Sequence, residues 1–186
     1  MKRSLILGGA RSGKSGYAER LATESNKEVI YIATATAGDK EMAERIAHHR
    51  RQRPAQWTTV EEGLALADVL RQWRAPHRVV LVDCLTLWLT NLLFSDGTAY
   101  PDVGMIELPQ RFHTERAALL DEIARTGAGP VIFVSNEVGM GIVPYGAVSR
   151  AFTDEAGRLN QAVAAACDHV VFVAAGLPLT LKGTPC

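Results

Sequence analysis

An excess of either charge is missing from this chain: 20 Lys and Arg balance 20 Asp and Glu, so the formal net charge is zero. That balance argues against the broad basic footprint that a nucleic-acid-binding surface needs. Cysteine is scarce. Cys84, Cys167 and Cys186 stand far apart with no CxxC spacing, which excludes a disulfide framework or a zinc site as the organising feature and favours a reducing compartment. Long hydrophobic runs are absent too. The longest, Leu85 to Phe94, is too short to span a bilayer and is interrupted by Thr86, Thr90 and Asn91. The first strand-like run begins almost at once, leaving no room for a leader peptide. No internal repeat, low-complexity tract or linker interrupts the chain. The expectation is a cytoplasmic protein with no membrane span and no nucleic-acid partner. Its apolar content, 47% over 186 residues, suffices for one well-buried domain covering 1–186.

What is present is a phosphate-binding loop. Gly8, Gly9, Ala10, Arg11, Ser12, Gly13, Lys14 and Ser15 fit G-x-x-x-x-G-K-[ST], preceded by the apolar run Ser4 to Leu7 and followed by a helix-like segment from Tyr17. Glycines let the backbone fold back so that successive N–H groups face phosphate oxygens. The helix behind them aims the positive end of its dipole at the same anion. Lys14 brings a mobile cation to the outer phosphates, and the Ser15 hydroxyl suits Mg²⁺. The chain is read as binding a nucleoside triphosphate.

Strand-like and helix-like segments alternate from there on. Glu28 to Thr34, Val79 to Asp83, Val131 to Val134 and His169 to Ala174 are β-rich and apolar, the pattern of buried parallel strands. Gln56 to Val60 is a shorter extended piece. Helices are expected from Lys40 to about Arg53, Leu64 to Trp73, Thr86 to Phe94, Glu107 to Arg125 and about Val148 to Ala166. Two glycine-punctuated loops remain, Ser95 to Gly104 and Asn136 to Pro144. The order predicts an α/β fold with a mostly parallel sheet and helices on both faces. Ligands of such sheets sit beyond the carboxyl ends of the strands. Thr34, Asp83, Asn136 and Glu137 should therefore meet on the rim that carries the phosphate loop.

Asp83 ends an apolar strand as a carboxylate reaching the Mg²⁺ held by Ser15 would, the alternative being a solvated strand-end acid. Glu137 is open between a metal-shell or general-base role and none. On the helix from Lys40, the adjacent His48 and His49 point about 100° apart, so one site cannot take both. His49 falls on the apolar stripe with Met42 and Ile46, whereas His48 shares its face with Glu44, Arg45 and Arg51. A neutral imidazole, with a pKa near about 6.5, can attack phosphorus. From residue type alone, a surface histidine on a basic helix is the simpler reading. Arg50, Arg51 and Arg53 either clamp phosphates or face water. His77, His113 and His169 read as structural, Trp57, Trp73 and Trp88 as packing residues, and Cys84 as buried without chemistry.

The phosphate loop, Tyr31-Ile32-Ala33-Thr34, Arg45-Ile46-Ala47-His48-His49, Arg53-Pro54, Thr90 to Phe94 and Asn136 to Pro144 together resemble the bifunctional adenosylcobinamide kinase / adenosylcobinamide-phosphate guanylyltransferases of cobalamin biosynthesis. The matches run in order along almost the whole chain. The resemblance implies a RecA-like P-loop sheet, a homotrimer and two reactions at one nucleotide site. ATP or GTP phosphorylates adenosylcobinamide; GTP then guanylylates a histidine, releasing pyrophosphate, and GMP passes to the phosphorylated cobinamide, giving adenosylcobinamide-GDP. It makes His48 the nucleophile. It also implies nucleotide contacts from the phosphate loop, Thr34, Ala35, Thr36, His49, Arg50, Arg51, Gln52, Glu61 or Glu62, and Asp83. Asp83 stands where some members carry Glu, which preserves charge and shortens reach. Ser95 to Gly104 and Asn136 to Pro144 are the loops read as meeting the corrinoid. The rival readings are a P-loop kinase of another small molecule, a RecA-like ATPase on DNA, and a nucleotide-binding regulatory subunit.

Overall fold

Side chains that alternate along each strand divide the core of this protein into two layers. The computed structural model describes residues 3–35, 54–125 and 127–184. Its strands are β1 (Arg3–Gly8), β2 (Glu28–Ala33), β3 (Thr58–Glu61), β4 (Arg78–Asp83), β5 (Val131–Asn136), β6 (His169–Ala174) and β7 (Leu177–Lys182), and its helices α1 (Lys14–Glu24), α2 (Leu66–Trp73), α3 (Leu85–Phe94), α4 (Gln110–Ala124) and α5 (Ala147–Ala166). The strands form one sheet in the order β3-β2-β4-β5-β1-β6-β7. Every neighbouring pair is parallel except β6 and β7.

Because strand side chains alternate in direction, Leu5, Ile30, Val80 and Phe133 enter one cluster, which α2 to α5 cover. Ile6, Tyr31, Leu81 and Val134 enter the other, where α1 supplies Tyr17, Ala18 and Leu21. Central strands covered on both sides must be continuously apolar, as β4 and β5 are. α3 is buried almost all round, as its composition predicts, with Leu85, Trp88, Leu89, Leu92 and Leu93 inaccessible.

One strand escaped the sequence reading, which ended the sheet at β6. Gly176 and Pro178 look like breakers, yet β7 is an edge strand, where a missing N–H is tolerated. Ala175 and Gly176 both take positive φ, 50° and 78°, and reverse the chain in two residues. The outward side chains Leu177, Leu179 and Leu181 form an exposed apolar ridge on that edge. The helix expected from Lys40 to about Arg53 lies outside the described residues. Among the described residues no helix is long and apolar enough to cross a membrane.

Candidate active site

β1 ends at Gly8, where a side chain is impossible: a Cβ there would sit 2.4 Å from the Val173 carbonyl oxygen and 2.5 Å from Ser12 Oγ. The chain then bends through Arg11 at φ 55° and Gly13 at φ 93°, both left-handed. The Ser12 amide donates to the Gly9 carbonyl at 3.3 Å, and the Tyr17 amide donates to Gly13 at 3.0 Å as α1 begins. Lys14 is the first residue of that helix and is buried. Its ammonium donates to the Gly9 carbonyl at 3.1 Å, curling over the loop. Burial pushes its pKa down, and Asp83 and Cys84 nearby draw it partly back. A desolvated cation inside a ring of backbone amides is a site prepared for phosphate.

A residue that the sequence reading missed braces this loop. The Gly176 amide donates to the Ser12 carbonyl at 2.8 Å, and a Cβ on Gly13 would meet the Gly176 Cα at 3.1 Å. The β6–β7 turn is thus packed on the phosphate cradle. No signal local to Gly176 announces it, because the contact spans most of the chain.

The other strand ends arrive as the topology requires. The Thr34 amide donates to the Asp83 carbonyl at 3.2 Å, and the Glu137 amide to Gly8 at 3.1 Å. Asp83 accepts a hydrogen bond from the Tyr31 hydroxyl at 2.9 Å, which fixes one carboxylate oxygen. Thr34 is wholly buried; its hydroxyl donates to the Cys84 carbonyl at 2.7 Å and accepts from the Cys84 amide at 2.8 Å. Its carbonyl accepts from Asn91 Nδ2 at 2.7 Å. Thr34 therefore locks β2 to β4, and the adjoining Ala35 is partly exposed. Burial and the neighbouring Asp83 push the Cys84 thiol pKa up, leaving it unreactive.

A buried polar chain continues across the sheet. Ser135 donates to Asn160 Oδ1 at 2.7 Å, Asn160 donates to the Asn136 carbonyl at 3.1 Å, and Asn136 donates to Thr86 Oγ1 at 2.9 Å. Thr86 in turn lies 3.1 Å from the Cys84 sulfur. Asn160, like Gly176, was not singled out from sequence. Glu137 accepts from the Gly139 amide at 2.8 Å, so one oxygen is turned onto its own loop. Of the two candidate acids at the end of β3, Glu62 accepts from the Leu64 and Ala65 amides at 2.7 and 2.9 Å in the turn that leads into α2, while Glu61 is exposed at the strand end. Thr36, His48, His49, Arg50, Arg51 and Gln52 lie outside the described residues.

Residues 4–181 match the family described as CobU, cobinamide kinase / cobinamide phosphate guanyltransferase. The chain belongs to this family. It is 56% identical to the bifunctional adenosylcobalamin biosynthesis protein CobP of Pseudomonas aeruginosa, over 98% of the chain and 99% of that protein. It is 44% identical to the bifunctional adenosylcobalamin biosynthesis protein CobU of Escherichia coli K12, over 96% of the chain and 98% of the relative. The corresponding Salmonella typhimurium protein is 41% identical over 96% of the chain. Among solved structures, the assembled type III secretion ATPase EscN superposes with a TM-score of 0.56 at 12% identity, over 94% of this chain and 43% of its own. A prototypical type III secretion ATPase superposes at 0.55 and 14% identity, over 96% of this chain and 56% of its own. At that identity the likeness concerns the fold alone, a RecA-like P-loop sheet. Across the CobU-family chain the described residues hold no group of three or more His, Cys, Asp or Glu able to cage a metal by themselves.

Proposed function

We infer that this chain is a bifunctional enzyme of adenosylcobalamin biosynthesis, a cobinamide kinase and cobinamide-phosphate guanylyltransferase acting as one domain over residues 1–186. The observation that carries the reading is the buried Lys14 ammonium curled onto the Gly9 carbonyl beside Asp83, in a chain matched nearly end to end by the bifunctional relatives.

In the kinase step the loop amides and Lys14 hold the β- and γ-phosphates of ATP or GTP while the cobinamide hydroxyl attacks the γ-phosphorus; the bond to the β–γ bridging oxygen breaks, ADP or GDP leaves, and the hydroxyl proton passes to solvent. In the transferase step we assign His48 as the nucleophile. Its neutral imidazole attacks the α-phosphorus of GTP, the bond to the bridging oxygen breaks, and pyrophosphate leaves under the charge of Lys14. The phosphate of cobinamide phosphate then attacks the same phosphorus, freeing the histidine and giving adenosylcobinamide-GDP. Thr36, His49, Arg50, Arg51, Gln52 and Glu61 are assigned to nucleotide contact.

Mg²⁺ fits the donors present. A cation that keeps several waters and binds through few protein oxygens needs only the Asp83 carboxylate, the Ser15 hydroxyl and substrate phosphates. When bound it neutralises developing phosphate charge; Tyr31 holds Asp83 in orientation for it. We further propose a homotrimer, supported by the exposed ridge of Leu177, Leu179 and Leu181. That ridge follows the turn bracing the phosphate loop, so a neighbouring copy seated there stands close to the cradle. The buried, unpaired thiols Cys84 and Cys167 suit a cytoplasmic setting.

The test is incubation with GTP labelled at the α-phosphate. The expected product is an acid-labile, base-stable adduct on the protein that chases into cobinamide-GDP on adding cobinamide phosphate. A His48→Ala protein that still takes up the label would remove His48 from the mechanism, and transfer of γ-phosphate alone would leave a plain kinase.

A further inference from the structure

Two loops that the chemistry above leaves unused are tied together, and one of them leaves from the phosphate cradle. The first runs through residues 95–109 between α3 and α4, the second through 137–146 between β5 and α5. Arg150 ties them: its guanidinium donates to the carbonyls of Gly104 at 3.3 Å, Pro144 at 3.4 Å and Tyr145. The Ala147 amide adds a bond to the Asp102 carbonyl at 2.9 Å. The joined loops expose Val103, Met105, Met140, Ile142, Val143 and Tyr145, with Met105 96% and Ile142 98% accessible. From Val138 to Val148 no side chain carries a formal charge, while the first loop carries Asp96, Asp102 and Glu107. Large apolar side chains held out in water on loops that the partly buried Arg150 ties together mark a binding face.

We propose that this face is the docking platform for the corrin ring of the cobinamide substrate. The assignment rests on the reaction proposed above. Continuity with the nucleotide site is the first argument. The second loop leaves from Glu137, whose amide is bonded to Gly8 of the cradle. At roughly 3.5 Å per residue, Ile142 stands within about 18 Å of that bond. The substrate's own chemistry is the second. A corrin is a broad, largely apolar disc fringed with carboxamides and bearing a short arm that ends in the hydroxyl or phosphate to be transformed. The disc calls for an apolar platform with hydrogen-bonding groups at its edge to meet the carboxamides, set an arm's length from the phosphates. Methionines at positions 105 and 140 suit an irregular ring because their thioethers adapt in shape. A second copy of the chain is the competing occupant. The regular ridge of Leu177, Leu179 and Leu181 offers it a strand edge with period-two side chains, a surface of the kind repeated protein interfaces use.

The experiment is equilibrium dialysis of dicyanocobinamide against the full-length protein, followed by the corrinoid absorbance, with GTP affinity and sedimentation mass measured alongside. The Met140→Ser/Ile142→Ser protein, and separately Met105→Ser on the other loop, are expected to bind cobinamide at least tenfold more weakly while keeping wild-type GTP affinity and mass. Wild-type cobinamide affinity in both variants overturns the platform. So does a fall in mass that accompanies the lost affinity, which would give the face to a second copy. If the unmodified protein binds GTP yet neither binds nor converts cobinamide, the proposed reaction fails and the platform with it.

Discussion

The two ends of the sheet treat buried charge in opposite ways. At the amino ends of the strands, Arg74 and Glu122 are both almost inaccessible, 2% and 1% by side chain, and are paired at 3.3 Å. Arg74 also donates to the carbonyls of Glu122 at 2.6 Å and Gly129 at 3.0 Å, and the other Glu122 oxygen takes Arg125 at 2.8 Å. Nearby, Arg3 grips both oxygens of Asp168, at 3.1 and 2.8 Å. At the carboxyl ends the buried Lys14 forms no ion pair among the described residues and holds only a loop carbonyl. Desolvating a charge costs several kcal/mol in either place. One end recovers that cost within the protein, as structure; the other, on the function proposed above, leaves it to be recovered by a bound phosphate, as affinity.

The contrast breaks first at Lys14. Lys14→Ala is expected to lower kcat/KM of both reactions by about 10²–10³-fold or more, since one charge-stabilising donor is removed from the transition state. Its thermal midpoint should stay at or above that of the wild type, because a desolvated cation only partly offset by Asp83 is gone. A large drop in melting temperature would place Lys14 among the structural charges. Glu122→Gln is the mirror experiment. Leaving Arg74 buried beside a neutral partner should cost about 3–5 kcal/mol in urea denaturation, with activity per folded molecule unchanged.

A pH titration sharpens the same difference. Burial holds the Lys14 pKa below that of a free lysine, so the unfolded chain binds this proton more tightly than the empty folded protein. Stability of the empty protein should therefore rise as pH climbs through the interval between the lowered and the free value. Triphosphate binding needs the charged form and must pull the proton back. Calorimetry in buffers of differing ionisation enthalpy should find proton uptake on GTP binding in the alkaline range, with affinity falling at lower pH than a solvent-exposed lysine would give. No uptake would mean that Lys14 is not the phosphate cation. The smallest effect is expected at Tyr31→Phe. Losing one hydrogen bond to the Asp83 carboxylate, worth about 1 kcal/mol, should raise the Mg²⁺ concentration for half-maximal GTP binding by roughly fivefold.

Legibility followed the range of the interactions. Gly8 to Ser15 could be read because the loop's geometry is encoded in eight successive residues, and β4 and β5 because burial on both faces makes them continuously apolar. Convergence of Thr34, Asp83 and Asn136 on one rim followed from topology alone. Thr34 was expected at the nucleotide; its amide, hydroxyl and carbonyl are bonded to Asp83, Cys84 and Asn91. β7 was missed because Pro178 is a breaker except on an edge, and edges are decided by the completed sheet. Gly176 on Ser12, Asn160 on Ser135 and Arg74 on Glu122 pair residues far apart in sequence, with no local pattern to announce them.

By itself, the order of residues determined a triphosphate cradle, an alternating parallel architecture and the family of the chain, because each rests on short-range geometry or on matches in register along the chain. Only the tertiary structure decided which buried charges are paired and, among the described residues, that buried Lys14 has no ion pair. It also decided that a hairpin turn braces the cradle and that Arg150 ties two distant loops together. Those outcomes depend on desolvation and contact between segments that nothing but folding brings together.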